Sequence, residues 1–405
     1  MASALFPLIG VVFLGLAILL QVNVVPVVRH TLGVGQAVRP VNNGQCQKIP
    51  ELQGCEDAWF HEPSGLLYLA CSNPKNRLSW FSNMDIFDAS NRALDDYVAI
   101  LDTKASGPAS SRITKVALRN FAGVEGDGTI NVHGVGVHLD SPATVAEGEQ
   151  PKLRVFLVNH RPPLVENYVG ANSTVELFET TLGSDSMDHI RTYHSDVIMT
   201  PNDVSPTGPD SFIFSNDHSV KAGLKKNLDF FSARSSIGFC DGQKGCKLAM
   251  DPLPYPNGLA GGTQFPNANP NVFYSVSTAD RKVRVLELQA DGSLIILDEI
   301  QTDYPMDNPS VDVDGNLWVA GFPKMLHMAG TSFKDPSVGS PSAVLKVSKN
   351  TARDAFFGQK YVVERAFEDG GEIVSSPTFA HYDTKRKLLF MGGIMTPYIA
   401  ICQLP

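Results

Sequence analysis

The sequence has no surplus of basic charge: 33 Lys and Arg stand against 42 Asp and Glu, for a net charge of -9. A nucleic-acid partner, which needs a basic face, is thereby excluded. There is no Cys-x-x-Cys pair to suggest zinc and no Gly-x-Ser-x-Gly elbow to suggest a serine esterase. No stretch reads as a helical repeat. The segment that invites comparison with an EF-hand, Asp312 to Gly315, fails it, because the glycine comes too early and Pro323 stands where the bidentate Glu belongs.

What is present is a strand pattern that repeats. In Tyr304 to Phe322 (YPMDNPSVDVDGNLWVAGF), Asp307 and Asn308 precede a strand, a two-residue Asp314-Gly315 turn and a second, apolar strand, Leu317 to Ala320. Asp-Gly between apolar runs predicts a hairpin. The layout recurs: Glu56 and Asp57 precede GLLYLACS, and His133 precedes an insertion and RVFLVNH. Asn202 and Asp203 precede SFIFSND, Asn257 precedes NVFYSVS, and Ser375 and Ser376 precede KLLFMGG, which makes six copies. Strand-only periods of roughly 40 to 60 residues predict propeller blades. The expected fold class is therefore all-β, a six-bladed β-propeller with an N-terminal hydrophobic helix. The innermost strand of each blade lines a central channel, so the polar clusters should meet there. Paired carboxylate and amide oxygens suit a hard cation such as calcium.

The ends suggest a compartment. Ala4 to Leu20 is continuously apolar, and about 20 such residues span a bilayer. With no convincing small-residue cleavage site, an uncleaved signal anchor is preferred to a cleaved signal. The chain divides into an anchor (1–30), a linker (31–45) and the propeller (46–405). Six cysteines allow the pairs Cys46 with Cys402, Cys55 with Cys71 and Cys240 with Cys246. Asn172-Ser173-Thr174 is a glycosylation sequon. Together these predict the secretory pathway, with the propeller lumenal or extracellular and either held at a membrane by the N-terminal helix or secreted. Trp80, Phe81 and Phe87, in the turn-rich segment Ser72 to Asn91, either line a substrate mouth or pack between blades. Lys324 to Ser342 is a second candidate rim loop.

An ordered set of segments carries a resemblance: CEDAW (Cys55 to Trp59), NVHGV (Asn131 to Val135), VNH (Val158 to His160), STVELF (Ser173 to Phe178), PND (Pro201 to Asp203), SNDH (Ser215 to His218), PNG (Pro256 to Gly258) and DNPSVD (Asp307 to Asp312). From Cys46 to Cys402 the chain resembles a divergent member of the serum paraoxonase/arylesterase family. The resemblance implies a calcium-dependent hydrolase of carboxylic esters and lactones, a six-bladed propeller with two calcium ions in its channel. The catalytic ion would be held by Glu56, Asn202, Asn257, Asp307 and Asn308. The structural ion would be held by Asp57, Asp203 and the Val135 carbonyl. It further implies His133 as general base with His160 as its helper, and a disulfide joining Cys46 and Cys402. His218 is expected as channel wall. One departure stands out: where the family commonly has Cys-His before a proline, this chain has Gly321-Phe322-Pro323, which makes phosphotriester hydrolysis less secure than ester or lactone hydrolysis. Other classes remain: a gluconolactonase-like or strictosidine-synthase-like propeller enzyme, or a non-catalytic, membrane-tethered calcium-binding propeller.

Overall fold

The computed structural model describes residues 14–15, 17–18, 20–123, 126–140, 150–164, 169–261, 269–352, 355 and 358–405. The strands form six four-stranded blades. Their innermost strands are Asp57–His61, Val132–Leu139, Pro201–Gly208, Pro256–Gly261, Met306–Val311 and Phe379–Asp383, for blades I to VI in order. Blades I and II are joined at their outer edges, where Ser186–Tyr193 pairs in parallel with Ile113–Arg119. The chain is therefore the all-β six-bladed propeller that the repeat predicts.

Within each blade, the strand runs alternate between faces that pack on the two neighbouring blades. Leu67, Leu69 and Leu101 of blade I bury against Phe379, Phe390 and Ile399 of blade VI. Val276 and Val283 of blade IV meet Val319 and Leu345 of blade V. Each such side chain contributes roughly 1.5–3 kcal/mol by leaving water, and these interblade seams are the core.

The ring is closed by the chain's own start. Cys46–Ile49 forms the outer strand of blade VI, antiparallel to Ile399–Gln403 with Cys46 opposite Cys402, and the two cysteines are bonded across 356 residues. Cys55–Cys71 and Cys240–Cys246 are also disulfides, so all three pairings agree with the sequence reading.

Two local expectations are corrected. The blade V hairpin closes on three residues, not two: the Asp312 N–H bonds the Asn316 carbonyl at 2.9 Å, leaving Val313-Asp314-Gly315 as the loop, with Gly315 at φ +82°. The Asp312 carboxylate accepts from the Asp314 and Asn316 N–H groups and from Trp318 Nε1, an arrangement that needs the longer loop. In blade VI the residue that enters the channel wall is Thr378. Ser375 and Ser376 lie earlier, where Ser375 Oγ accepts the Ser340 N–H and Ser376 adopts φ +46°.

Most of the apolar run Ala4 to Leu20 lies outside the described residues. Among the described residues, no helix is long and apolar enough to cross a membrane. Short helical turns at Leu20–Val24 and Val27–Thr31 lead onto the rim, where Thr31 Oγ1 donates to the Ala279 carbonyl and the Leu326 N–H to the Leu32 carbonyl. The segment read as a linker then follows blade V, with the Arg39 N–H on Glu368 and Asn43 on Asp369.

His381, on the floor of the channel, joins blade VI to blade I through a 2.8 Å contact of Nε2 with the Ala58 carbonyl. Burial pushes its imidazole down from 6.5 to about 4. The fold thus holds the neutral ring, so its stability contribution is complete above the unfolded value and lost as pH falls towards 4. The urea midpoint of the wild type should accordingly drop relative to His381→Gln between pH 6.5 and about 4; parallel curves would refute this. Replacing both Cys46 and Cys402 by Ala should cost about 2–5 kcal/mol in urea unfolding. The same change at Cys240 and Cys246, separated by 6 residues, should cost less.

Candidate metal and catalytic centre

Four of the six innermost strands break register where the candidate residues stand. The irregularities fall between Val132 and Val135, Pro201 and Val204, Pro256 and Leu259, and Met306 and Pro309. A regular strand sends consecutive side chains to opposite faces, whereas a bulge re-aims them. That is how neighbours such as Asn202 and Asp203 both serve the channel. Gly134 and Gly258 allow the strands to close in: a Cβ at Gly134 would lie 2.7 Å from Asp203 Cα, and one at Gly258 2.5 Å from Asn308 Cα.

Glu56, Asn202, Asn257 and Asp307 line one cavity of about 70 Å³, together with His133, Thr278 and Thr378. Asn308 adjoins them through Nδ2, which donates to Glu56 Oε1 at 2.9 Å. The other two amides are turned in the same sense. Asn257 Nδ2 donates to Thr278 Oγ1 at 3.0 Å, and Asn202 Nδ2 contacts Asp217 at 3.4 Å. Each asparagine therefore spends its N–H sideways. Asn202 Oδ1, Asn257 Oδ1, Asn308 Oδ1 and Glu56 Oε2 are left buried without a hydrogen-bond partner. Four oxygens from four blades form a donor set of the kind that hard cations take. Among the described residues, no three His, Cys, Asp or Glu side chains form a metal-holding group by themselves, so the fit depends on the amide oxygens.

Below lie Asp57 and Asp203. Asp57 accepts the Ala58 and Val135 N–H groups, each at 2.8 Å, and Asp203 accepts those of Val204 and Leu259, each at 2.6 Å. The Val135 backbone N–H thus sits against this pair. Burial, followed by repulsion from Asp57, Asp307 and Asp203, pushes Glu56 well above the usual carboxylate range. Burial and the Asp57 charge do the same to Asp203, and burial with the charges of Asp57 and Asp217 does so to Asp307. Asp57 is raised to about 7, chiefly by burial. A set of carboxylates that oppose one another's ionisation is held charged by a cation.

His133 and His160 meet edge to face with ring centroids 5.0 Å apart. His133 Nε2 lies 3.7 Å from Glu56 Oε1, which places that nitrogen towards the cavity. His160 Nδ1 is fixed by Ser173 Oγ at 2.9 Å. Burial, with the neighbouring His160 and Arg77 charges, depresses His133 strongly. Burial likewise takes His160 to about 3, against the opposing field of Asp217. Both rings are neutral at physiological pH and able to accept a proton.

The rest of the cavity is apolar. Phe81, Phe322, Met325, Met328 and Phe333 line it, so both long rim segments reach the site. Trp80 does not line this cavity: its Nε1 donates to the His160 carbonyl at 2.8 Å, and Phe87 stacks edge-on against it. His218 lies behind the cavity wall, with Nε2 3.2 Å from the Asn83 carbonyl and its ring edge-on to Tyr255. Asn172 is partly exposed at the start of a blade II strand. Sequence reasoning missed Asn83, Asp217, Thr278 and Thr378. Asp217 alone had a signal, inside SNDH. Asn83 reaches it from another blade, donating to Asp217 Oδ2 at 2.5 Å.

The chain is 27% identical over 264 residues to serum paraoxonase/arylesterase 2 of Gallus gallus, covering 64% of this chain and 65% of the relative's length. It is 23% identical to serum paraoxonase/arylesterase 1 of Rattus norvegicus, covering 92% and 93%, and 21% identical to human serum paraoxonase/lactonase 3, again covering 92% and 93%. Among solved structures, a gluconolactonase from Xanthomonas campestris matches with TM-score 0.45 and 14% identity over 91% of this chain and 94% of that one. A periplasmic gluconolactonase of Pseudomonas aeruginosa matches with TM-score 0.42 and 10% identity over 83% and 77%. The family model described as Arylesterase matches residues 151–404, and the chain belongs to that family.

Proposed function

We propose that the protein is a calcium-dependent hydrolase of carboxylic esters and lactones. The observation that carries this reading is the convergence of three buried, unpartnered oxygens, from Glu56, Asn202 and Asn257, with His133 on one cavity, and that of Asn308 beside them. Glu56, Asn202, Asn257, Asp307 and Asn308 would hold the catalytic ion, and Asp57, Asp203 and the Val135 carbonyl a structural one. Calcium held by the upper set would supply Lewis-acid polarisation of a carbonyl oxygen.

The chain's own groups supply the rest. His133 takes a proton from the attacking water at Nε2, the nitrogen nearest Glu56. The edge of the His160 ring holds the His133 imidazole in place. Phe81, Met325, Met328 and Phe333 receive the apolar part of the substrate and keep bulk water out. Phe322, only 2% exposed, neither donates nor accepts a proton, so esters and lactones are favoured over phosphotriesters. The three disulfides suit an oxidising compartment. The exposed apolar residues Leu14, Ile18, Leu20, Val22 and Val24 support a membrane association for residues 1–30, with the propeller on the lumenal or extracellular side. Asn172 is assigned as the glycan site.

Hydrolysis of an aryl ester and an aliphatic lactone should disappear on chelation and return with added calcium. Asn257→Ala and Asp307→Ala should each lose at least about 10-fold. A folded, calcium-binding protein with no turnover would instead make this a binding propeller. His133→Gln should lower kcat by about 10²–10⁴-fold with calcium affinity retained; unchanged lactone turnover would remove His133 from the base role.

A further inference from the structure

Behind the two histidines, on the side away from the candidate metal site, the chain encloses a second cavity of about 10 Å³. By this measure that is about the room of one water molecule. Arg77, Asp96, His133 and His160 line it, with Trp80 and Phe81 as its apolar walls. Each of the four polar residues brings a buried atom that has no hydrogen-bond partner: Arg77 Nε, Asp96 Oδ1, His133 Nδ1 and His160 Nε2.

Other atoms of three of these groups are engaged elsewhere. An Arg77 terminal nitrogen donates to the Gly54 and Val132 carbonyls at 3.4 and 3.1 Å. Asp96 Oδ2 accepts the Val132 N–H at 3.1 Å. His160 Nδ1 is committed to Ser173. Arg77 and Asp96 carry opposite charges in one dry pocket and form no direct ion pair among the described residues, although each shifts the other's protonation. Two buried charges that attract one another without touching call for a bridging polar molecule, since an unpaired buried charge is expensive.

We propose that this cavity is a built site for one internal water, which accepts from Arg77 Nε and donates to Asp96 Oδ1 and to His160 Nε2, the ring nitrogen opposite the one committed to Ser173. Three partners of this kind are the usual complement of a buried water. Arg77 and Asp96 then act as positioning residues. Through the water they fix the orientation of the imidazoles. The Arg77 helix, Pro74–Arg77, and the Asp96 turn both belong to the long connection that carries Trp80 and Phe81. The same segment thus shapes the front of the site with aromatic rings and the back with a charge pair.

The kinetic part of the test rests on the hydrolase reading, whereas the structural part does not. In a high-resolution crystal structure of the full chain, one ordered water should lie within hydrogen-bond distance of both Arg77 Nε and Asp96 Oδ1. A direct Arg77–Asp96 ion pair filling the space, or an empty cavity, overturns the proposal. Asp96→Asn keeps an acceptor for the Val132 N–H and changes the polarity that faces the water. It should lower kcat by about 10-fold at unchanged KM and unchanged calcium affinity, while Asp96→Leu, which expels the water, should lower it further. If Asp96→Asn reduces only the melting temperature and leaves kcat per folded molecule intact, Asp96 is structural and the positioning role is wrong. If the wild type turns over no ester or lactone, the hydrolase reading falls, and the crystallographic water alone decides whether the site exists.

Discussion

Everything in this molecule is arranged around carboxylates that cannot all be charged together. Glu56, Asp57, Asp203 and Asp307 are buried at the axis of the ring; burial pushes each of them upward, and repulsion from neighbouring carboxylates adds to it at Glu56, Asp203 and Asp307. A fold without another purpose for them would replace them with apolar residues at little cost or a gain. Here the backbone is bent to bring them together. Four innermost strands bulge at these positions, and two glycines let neighbouring strands approach more closely than a side chain permits. The concentration of negative charge is the constraint, and the propeller is the scaffold that bears it.

Around that centre the chain builds in shells of decreasing polarity. Asparagine amides lie next to the carboxylates, and Thr278, Asp217 and Glu56 orient those amides. Paired histidines stand to one side, and beyond them is a rim of aromatic and methionine side chains. The inner shell is polar, while the softness of the methionines suits apolar groups of varied shape.

Much of this was legible in the sequence because period and chemistry coincide there. Asp and Asn ahead of short apolar strands give both the blade and its channel residue, as Asn202 with SFIFSND illustrates. The disulfides were legible from even cysteine count and position. Other features were not. Bulges have no residue signature, so nothing in PND indicated that Asn202 and Asp203 would share a face. Blade VI misled, because Ser375 and Ser376 look like the polar pair of the other copies yet tie rim loops, while Thr378 supplies the channel wall. Asn83 and Asp217 meet across 134 residues, and Arg77 and Asp96 reach the histidines from a connection that reads only as turn-rich. Contacts of that range follow from the closed ring and from no local pattern.

The closing strand has a consequence for how the molecule is made. Cys46–Ile49 leaves the ribosome before the other strands, but its partner strand Ile399–Gln403 is made only after the strands of the first five blades. Throughout translation the nascent chain therefore carries an unsatisfied edge strand and a lone thiol. Each completed blade can dock on its predecessor, yet the sixth has no outer strand until the first-made segment returns to it. Closing the ring then requires two long-range contacts, the seam between blades VI and I and the pairing of Cys46–Ile49 with Ile399–Gln403. Loss of a few residues from the C-terminus would leave the earlier blades their own strands and deprive the ring of its clasp.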